Sequence, residues 1–365
     1  MEHFNPFIAG PMLQYPEQFV GRKQELRAII GRMEGSQPTS INIVGEHQIG
    51  KSSLLYYFFL TWEQRVSQPQ SYVVIYLSLQ NANCQKEKDF YQAVAQKLLD
   101  CPRVKQNNHL VRLLQKTTFR LFRNKAFELD RSGFSLAMEE FKRQGLLPVL
   151  CLDDFESLFA SRDEERKEFD NGFYDNLRSL MDDSVLMLIL TSCKALEAYE
   201  QEYRFVSSFF NVGQVIELEE LTTDEAIELT RLPSNYLGKT PALTEEEQKI
   251  AQRWGNRHPY FLQLASSYLW EARHNRKNFK WARKQFEHQV SKYKSKSKWR
   301  ALYLLAPKWI WKLIAFIGGF VNFVESSIKG VTGLVIIILL ILVVVGALNW
   351  DEFIGILRSS LGLKN

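Results

Sequence analysis

The segment Gly45–Ser52 reads GEHQIGKS and matches the pattern GxxxxGK[ST] at every defined position. It follows an apolar run at Ser40–Val44 and precedes a helical pattern that begins at Lys51. In a strand–loop–helix setting, the loop N–H groups and the helix N-terminus surround a phosphate, while lysine neutralises its charge. The motif therefore predicts a nucleotide site, and it constrains the fold more than any other feature of the chain.

Each position of this loop has an expected role. Lys51 is predicted to neutralise the β- and γ-phosphates, and the Ser52 hydroxyl is predicted to ligate Mg²⁺. The residues predicted to surround the phosphates are Gly45, Glu46, His47, Gln48, Ile49, Gly50, Lys51, Ser52 and Ser53.

Two carboxylates follow a second apolar run, Val149–Leu152. At the carboxyl end of a parallel strand, Asp153 is placed to hold Mg²⁺ through water. Asp154 is then placed to orient or deprotonate an attacking water, and Glu156 is a weaker candidate for the same role. The alternative is an Asp-Asp helix cap after a buried strand. The carboxylate pair favours hydrolysis over binding alone.

A third polar strand end follows Val185–Leu190. Thr191 and Ser192 are predicted to contact the γ-phosphate as sensors. Ser and Thr are also common at strand ends because their hydroxyl groups stabilise the turn that follows, and this alternative stays open.

The apolar runs alternate with helical patterns through the first 220 residues. Strands that are apolar throughout and separated by helices indicate an α/β fold with a parallel sheet covered on both faces. After Thr222 the pattern is helical only, with predicted helix starts at Thr222, Thr244 and Pro259. The predicted strands are Ser40–Val44, Tyr72–Leu79, Pro148–Leu152, Val185–Thr191 and Val215–Leu218.

Residues 330–350 carry no charged side chain, and their apolar centre spans Val331–Leu348. About 20 helical residues cross the ~30 Å hydrocarbon core of a bilayer, and core helices or strands rarely have so long an apolar run. We expect a transmembrane helix at 330–350. The weaker stretch Trp309–Val324 is predicted to be an interfacial amphipathic helix, with the first arm of a re-entrant hairpin as the alternative.

The net charge of +5 hides a strongly basic block. Between Glu271 and Arg300 there are eleven Lys or Arg and two Asp or Glu. Basic residues near a span favour the cytoplasmic side and attract anionic lipids. We expect a cytoplasmic α/β domain and contact of region 271–312 with the lipid bilayer. Nucleic-acid binding, with the Lys and Arg side chains contacting phosphates and Trp281, Tyr293 and Trp299 stacking on bases, is the disfavoured alternative.

These features divide the chain into seven parts. The linker that includes Ser291–Lys298 is low in complexity and is predicted to be extended or frayed. The parts are an N-terminal segment 1–22, a P-loop α/β domain 23–221, a helical lid 222–290, a basic linker 291–308, an interfacial helix 309–329, a transmembrane helix 330–350 and a tail 351–365.

Several short motifs in this order resemble those of the STAND-type P-loop ATPases, an AAA-like group related to NACHT and NB-ARC switches and to origin-recognition AAA+ proteins. The resemblance covers residues 5 to about 270. The motifs are NPF at Asn5–Phe7, FVGR at Phe19–Arg22, the P-loop, DDFE at Asp153–Glu156, LTTDEA at Leu221–Ala226 and GNRHPYFLQ at Gly255–Gln263.

The resemblance implies an ASCE-type sheet in the order 5-1-4-3-2 with a helical lid, and ATP or ADP with Mg²⁺ as cofactors. It implies that Phe19, Val20 and Gly21 line the adenine pocket, and that His258 and Pro259 reach the nucleotide from the lid. Proteins of this group act as switches that are compact with ADP and form homo-oligomers with ATP.

The chain departs from the resembled group at one position. The sensor strand of that group ends in an arginine after the Thr/Ser pair, and here Cys193 and Lys194 follow. A lysine supplies a point charge and not the planar fork of arginine, so we expect slow or signal-dependent hydrolysis. Hydrolysis that needs an arginine from a neighbouring subunit is a further possibility, with Arg178 and Arg204 as candidates. A solvated or salt-bridged arginine is the favoured alternative for each of the two.

Three functions follow from these features. The favoured one is a membrane-anchored ATP switch that oligomerises or signals at the bilayer in response to a protein signal. The alternatives are an AAA+ remodelling ATPase acting on membrane-proximal clients, and a DNA-tethering ATPase that uses the basic block 271–300.

Overall fold

Five parallel strands form one sheet. The computed structural model describes residues 4–80, 84, 86–118, 131–159, 168–211, 213–234 and 240–305. The strand order β2-β3-β4-β1-β5 is the predicted order 5-1-4-3-2 counted from the other edge, so the prediction is confirmed. The strands are β1 (Ile41–Val44), β2 (Tyr72–Ser78), β3 (Leu147–Asp153), β4 (Met187–Ser192) and β5 (Gln214–Glu217).

Helices connect the strands and continue after the sheet. The helices are α1 (Lys23–Met33), α2 (Lys51–Thr61), α3 (Glu87–Asp100), α4 (Pro102–Lys105), α5 (Asn108–Thr118), α6 (Arg131–Arg143), α7 (Asn171–Asp182), α8 (Leu196–Tyr203), α9 (Thr223–Thr230), α10 (Glu245–Gly255), α11 (Pro259–His274) and α12 (Phe279–Leu305). The elements from α1 to α11 lie within one compact unit, Met1–His288.

Both faces of the sheet are buried, as the uninterrupted apolar runs predict. Successive residues of a strand point to opposite faces. Accordingly, Val149 and Cys151 of β3 pack in the apolar cluster that contains residues of α1 and α2. Leu150 and Leu152 pack in a second cluster, which contains residues of α3, α6 and α7. The sheet is therefore a central layer with helices on each side.

The pairing register brings the polar strand ends to one edge of the sheet. Val44, which precedes the P-loop, is paired with Ser192 of β4. Ser78 at the end of β2 is paired with Asp153 of β3. In open parallel sheets, ligands bind beyond this carboxyl edge, and here it carries the P-loop, the acidic pair and the predicted sensor residues.

The lid helices begin where their capping residues predict. The side chains of Thr222 and Thr244 each accept a hydrogen bond from the backbone N–H three residues on. The carboxylates of Glu225 and Glu247 accept one from the backbone N–H of the cap residue, so both starts form capping boxes. Helix α11 begins at Pro259, whose missing N–H costs nothing in the first helical turn.

The C-terminal predictions have mixed outcomes. Helix α12 continues to Leu305, so the expectation of an extended segment at Ser291–Lys298 is wrong. The residue types explain this outcome, because lysine favours helix and serine carries only a modest penalty. Among the described residues, no helix combines the length and the apolarity needed to cross a membrane. The predicted transmembrane helix 330–350, the interfacial segment 309–329 and the tail 351–365 lie outside the described residues.

Candidate functional site

The P-loop has a backbone that its two glycines make possible. Gly50, which caps α2, has φ +103°, a conformation that side-chain-bearing residues rarely adopt. At Gly45, an added Cβ would lie 2.9 Å from the carbonyl oxygen of Leu218 on the chain leaving β5. A side chain at position 45 would therefore push the P-loop away from the neighbouring strand end.

The ammonium group of Lys51 lies inside this loop. Its Nζ donates hydrogen bonds to the carbonyl oxygens of Gly45, at 2.8 Å, and Glu46, at 2.9 Å. The side chain is buried, although lysine almost never is unless its charge is paired. The loop thus holds a positive charge against its own carbonyl groups, next to the N-terminus of α2.

A cavity of about 230 Å³ opens beside the P-loop. His47, Gln48, Ile49, Gly50, Lys51, Ser52 and Ser53 line it, together with Phe19, Val20, Pro259 and Asp154, as the sequence predicts. The other predicted site residues do not reach its wall: Gly21, Gly45, Glu46, Asp153, Glu156, Thr191, Ser192 and His258.

The apolar side of the cavity is built around Phe19. Its ring stacks on that of Tyr57 of α2, with centroids 4.1 Å apart and planes 10° apart. Val20 packs against the lid cluster of Leu221, Leu229 and neighbouring residues. This apolar wall on one side and the P-loop on the other suit a base and its phosphates, respectively.

Arg22 is a site residue that the sequence reasoning missed. Its buried guanidinium group lies 2.6 Å from the carbonyl oxygen of Glu219 and 3.4 Å from that of Ile49 in the P-loop, and it pairs with Glu25 at 3.0 Å. Arg22 is the last residue of the FVGR motif, and its place next to the predicted adenine-pocket residues could have marked it as a site residue.

Glu225 joins the lid to this N-terminal segment. Its carboxylate accepts hydrogen bonds from the backbone N–H of Arg22, at 2.6 Å, and of Thr222, at 2.9 Å. Burial alone would raise the pKa of Glu225, but these hydrogen bonds lower it below its ordinary value. At Gly21, a Cβ would come within 2.6 Å of the Glu225 side chain. Helix α9 is therefore held close to the backbone at Gly21.

Residues 4–13, here called the N-terminal strap, form another part of the cavity that sequence reasoning missed. Asn5 donates to Ser267 of α11 at 2.9 Å, and the N–H of Ile8 donates to Gln263 at 3.0 Å. The N–H of Leu13 donates to Ser53 of α2 at 3.2 Å. The strap thus runs from the lid to the P-loop helix.

Asp153, the last residue of β3, is buried and accepts two hydroxyl hydrogen bonds. Thr191 donates to Oδ1 at 2.6 Å, and Tyr76 of β2 donates to Oδ2 at 2.9 Å. The same Thr191 oxygen accepts the N–H of Asp154 at 2.9 Å. Thr191 therefore bridges the two acids, while its role as a phosphate sensor stays a prediction.

Asp154 faces the cavity. It adopts the left-handed conformation (φ +56°), which turns the chain sharply after β3. Burial raises the pKa of Asp154 to about 6, the nearby carboxylates of Asp153 and Glu156 add to the rise, and Lys51 opposes it. A carboxylate with a pKa near 6 is mostly ionised at neutral pH and basic enough to accept a proton from water.

Ser192 at the end of β4 and Lys194 just after it both contact other residues of the protein. Ser192 Oγ lies 2.9 Å from Asn42 Oδ1 and 2.6 Å from the carbonyl oxygen of Lys194. Lys194, the candidate replacement for the missing arginine, pairs with Glu202 of α8 at 3.0 Å. Cys193 itself lines the cavity.

His258 lies at the start of α11 and is buried. Its Nε2 lies 3.1 Å from Glu46 Oε1 in the P-loop, and its ring packs on Phe261 with centroids 4.6 Å apart. Burial lowers the pKa of His258, while Glu46 and Glu220 oppose that effect. It contacts the P-loop through Glu46, whereas its neighbours Pro259 and Tyr260 line the cavity.

The residues at the carboxyl edge fit a Mg²⁺ ion. Asp153, Asp154 and Ser52 supply only oxygen donors, which Mg²⁺ prefers. The described residues contain no group of three or more His, Cys, Asp or Glu side chains arranged to hold a metal by themselves. This is compatible with Mg²⁺, which is usually held by one or two carboxylates, water and substrate phosphates.

Several solved structures are similar to this chain. The chain is similar to the Walker-type ATPase of Pyrococcus abyssi, with 17% identity, a TM-score of 0.53 and coverage of 84% of this chain and 81% of that chain. It is also similar to the ORC2 protein of Aeropyrum pernix, with 14% identity, a TM-score of 0.48 and coverage of 77% and 69%, respectively. None of the curated proteins matches the sequence.

The family model of Novel STAND NTPase 1 matches residues 14–289, well over half of the 365 residues. The matched region contains the P-loop, the acidic pair and the lid helices up to α11. This match confirms the resemblance to STAND-type ATPases, and the similarity to the Pyrococcus protein supports the same fold. The chain therefore belongs to the Novel STAND NTPase 1 family and is a P-loop NTPase of the STAND/AAA+ type.

Proposed function

We propose that the protein binds ATP and ADP with Mg²⁺, hydrolyses ATP slowly, and acts as a switch that oligomerises or signals at a membrane. The observation that carries the nucleotide part is a single cavity that joins the P-loop, Asp154 and the apolar wall around Phe19. ATP requires each of these: a phosphate cradle, a polar reaction centre and an apolar surface for its base.

The side chains divide the work between phosphate binding and hydrolysis. The P-loop N–H groups and Lys51 would bind the β- and γ-phosphates, and Ser52 and Asp153 would hold Mg²⁺. The ion, when bound, neutralises charge that develops on the phosphate oxygens. Asp154 would orient the attacking water and accept its proton.

Two observations support slow turnover. Cys193 stands where the resembled group has arginine. Lys194, the candidate replacement for that arginine, forms an ion pair with Glu202 instead. Arginine groups that stabilise the transition state of phosphoryl transfer raise rates by about 10³–10⁵-fold. Arg178 is paired with Asp182 at 2.7 Å, so its use by a neighbouring subunit would require that pair to open.

Two contacts support a nucleotide-dependent lid. Glu225 of α9 binds the backbone of Arg22, and His258 of α11 lies beside Glu46 of the P-loop. Both join the lid to segments that line or flank the cavity. A nucleotide that changes these contacts would favour one lid position over another, which is the requirement for a switch.

The membrane part of the proposal rests on the amino-acid sequence. The uncharged run 330–350 is long enough to span a bilayer, and the basic region 271–312 suits an anionic cytoplasmic leaflet. In this arrangement the NTPase domain is cytoplasmic and the chain crosses the membrane once, near its C-terminus.

The test uses the full chain in lipid nanodiscs or detergent, with ATP turnover and particle size measured in ATP and in ADP. Lys51→Ala should abolish binding, turnover and any ATP-dependent change in size. Asp154→Asn should abolish turnover but keep binding and the size change. Lys97→Ala, which removes an exposed lysine on α3, serves as the matched control and should behave as wild type.

Two results would contradict the proposal. A particle size that is the same in ATP, in ADP and without nucleotide would exclude a nucleotide-dependent switch in oligomeric state. If Lys51→Ala bound nucleotide as tightly as wild type, the P-loop would be excluded as the binding site.

A further inference from the structure

Both carboxylate oxygens of Asp153 accept a hydrogen bond from a hydroxyl group of a neighbouring strand. Tyr76 of β2 donates to Oδ2 at 2.9 Å, and Thr191 of β4 donates to Oδ1 at 2.6 Å. We propose that Tyr76 is a positioning residue of the Mg²⁺ site and fixes the orientation of the Asp153 carboxylate. This inference rests on the proposed function, because it assigns Mg²⁺ to Asp153.

The phenol of Tyr76 is held on three sides. Its ring packs edge-on against Tyr56, with centroids 5.0 Å apart, and lies 5.9 Å from Phe59. Its Oη is also 3.3 Å from the sulfur atom of Met12 in the N-terminal strap. A ring confined in this way keeps its phenol oxygen beside the carboxylate unless the cluster repacks, and the carboxylate, at 2.9 Å, is a stronger acceptor than the thioether sulfur.

The two hydroxyl donors lie on opposite sides of Asp153, because β3 lies between β2 and β4 in the sheet. Together they fix the plane of the carboxylate group. Each oxygen keeps a second lone pair, which remains available for a metal-bound water. Partners of this kind orient metal ligands, and their loss typically costs about 10–100-fold in metal affinity.

The competing explanation is that Tyr76 only fills space in an aromatic cluster. Tyr76→Phe separates the two explanations, since phenylalanine keeps the ring and removes the hydroxyl. Tyr56→Phe is the matched control: it removes a hydroxyl from the same cluster. The Tyr56 hydroxyl has no hydrogen bond within the described chain, and Tyr56 does not line the nucleotide cavity.

The experiment titrates Mg²⁺ into the full chain with a fluorescent ATP analogue and measures analogue affinity, first in EDTA and then at each Mg²⁺ concentration. In Tyr76→Phe, the Mg²⁺ concentration at half-maximal effect should rise about 10-fold, while the affinity in EDTA stays unchanged. Tyr56→Phe should match wild type in both measurements. Thr191→Val, which removes the other donor, should shift the Mg²⁺ requirement in the same direction as Tyr76→Phe.

The outcomes separate this inference from the proposed function. If wild type binds the analogue with a clear Mg²⁺ dependence and Tyr76→Phe has the same dependence, the positioning role is wrong and the proposed function stands. If wild type shows no Mg²⁺-dependent binding, the proposed function is wrong, and the positioning role of Tyr76 is wrong as well because it depends on that function. Should Tyr76→Phe fold poorly, an unshifted Mg²⁺ requirement in Thr191→Val would also overturn the positioning of Asp153 by hydroxyl donors.

Discussion

His258 at the start of the last lid helix lies 3.1 Å from Glu46 in the P-loop. The two residues are far apart in the sequence, and each belongs to a motif that is recognisable by itself. Their contact joins the lid to the phosphate loop through side chains. It also gives His258 a role that does not require it to touch a nucleotide.

This contact predicts a pH dependence of stability. Burial lowers the pKa of His258 below its ordinary value of 6.5. Below that value the unfolded chain takes up a proton that the folded chain resists, so the free energy of unfolding should fall as the pH drops from about 7 to 5. Glu46, Glu220 and Arg22 are the charged groups that act on the ring. In His258→Asn this part of the decrease should disappear, as measured by urea unfolding at a series of pH values.

Glu46→Gln provides the complementary measurement. Because the Glu46 carboxylate opposes the fall in the pKa of His258, its neutralisation should lower that pKa further. The decrease in stability below pH 6.5 should then become steeper than in wild type. A profile that is identical in all three proteins would contradict the coupling of His258 to Glu46.

Asp154→Asn should separate activity from stability. A carboxylate whose pKa is raised to about 6 destabilises the folded protein above that pH, because the unfolded group ionises near 3.8. The amide should therefore increase the free energy of unfolding by about 1 kcal/mol at pH 7.5, allowing for partial exposure to solvent. The increase in the free energy of unfolding should vanish below about pH 4, where Asp154 of the wild type becomes protonated in the folded and in the unfolded chain alike.

The same residue predicts the pH profile of turnover. Since Asp154 must be ionised to accept a proton, wild-type ATP turnover should fall as the pH drops through about 6. Turnover by Asp154→Asn should be lost at every pH while nucleotide binding remains. A variant that is inactive but less stable than wild type would indicate a structural role and not a catalytic one.

Glu225 and Glu247 allow a matched comparison of the two lid capping boxes. Each residue completes a box, but only Glu225 also binds the backbone of Arg22 beside the cavity. Either change to Ala leaves the threonine cap and removes the hydrogen bond from the cap N–H to the carboxylate, which should cost about 1 kcal/mol. Glu225→Ala should cost roughly 1–3 kcal/mol beyond its box, because the Arg22 N–H loses its partner. Glu247→Ala also loses the 3.0 Å ion pair with Arg273, so nucleotide affinity and not stability distinguishes the two variants. Nucleotide affinity should fall in Glu225→Ala and stay near wild type in Glu247→Ala, as measured by fluorescence titration.

Membrane attachment can be tested on the full chain by liposome flotation. Leu340→Arg with Val344→Arg places two charges in the predicted span, at an expected cost of about 5–7 kcal/mol for insertion. This pair should abolish the flotation that survives a high-salt wash. Replacement of Lys294, Lys296 and Lys298 by Gln should weaken only the salt-sensitive part. Equal flotation of all three proteins in high salt would contradict the predicted span.

Much of the α/β region was predictable because its signals are local. The P-loop at Gly45–Ser52 and the acidic pair at Asp153 are short motifs, and each follows an apolar run that forms a strand. The helix starts at Thr222 and Thr244 are equally local, since a capping box involves residues three apart.

The remaining site contacts join distant residues of ordinary type. Asn5 is hydrogen-bonded to Ser267, which lies 262 residues later in the sequence, and Arg22 is hydrogen-bonded to Glu225, which lies 203 residues later. Tyr76 reaches Asp153 only because β2 and β3 are neighbours in the sheet. No spacing rule marks such pairs, since the choice of partner depends on how the whole chain packs.

The N-terminal strap has a consequence for how the protein is made. Ile8 emerges from the ribosome 255 residues before Gln263, to which its backbone is hydrogen-bonded. At about 5–20 residues/s, this interval lasts roughly 13–50 s. For most of that time the P-loop has been synthesised but one wall of its cavity does not yet exist. A nascent chain should therefore acquire full affinity for nucleotide only after α11 has been translated.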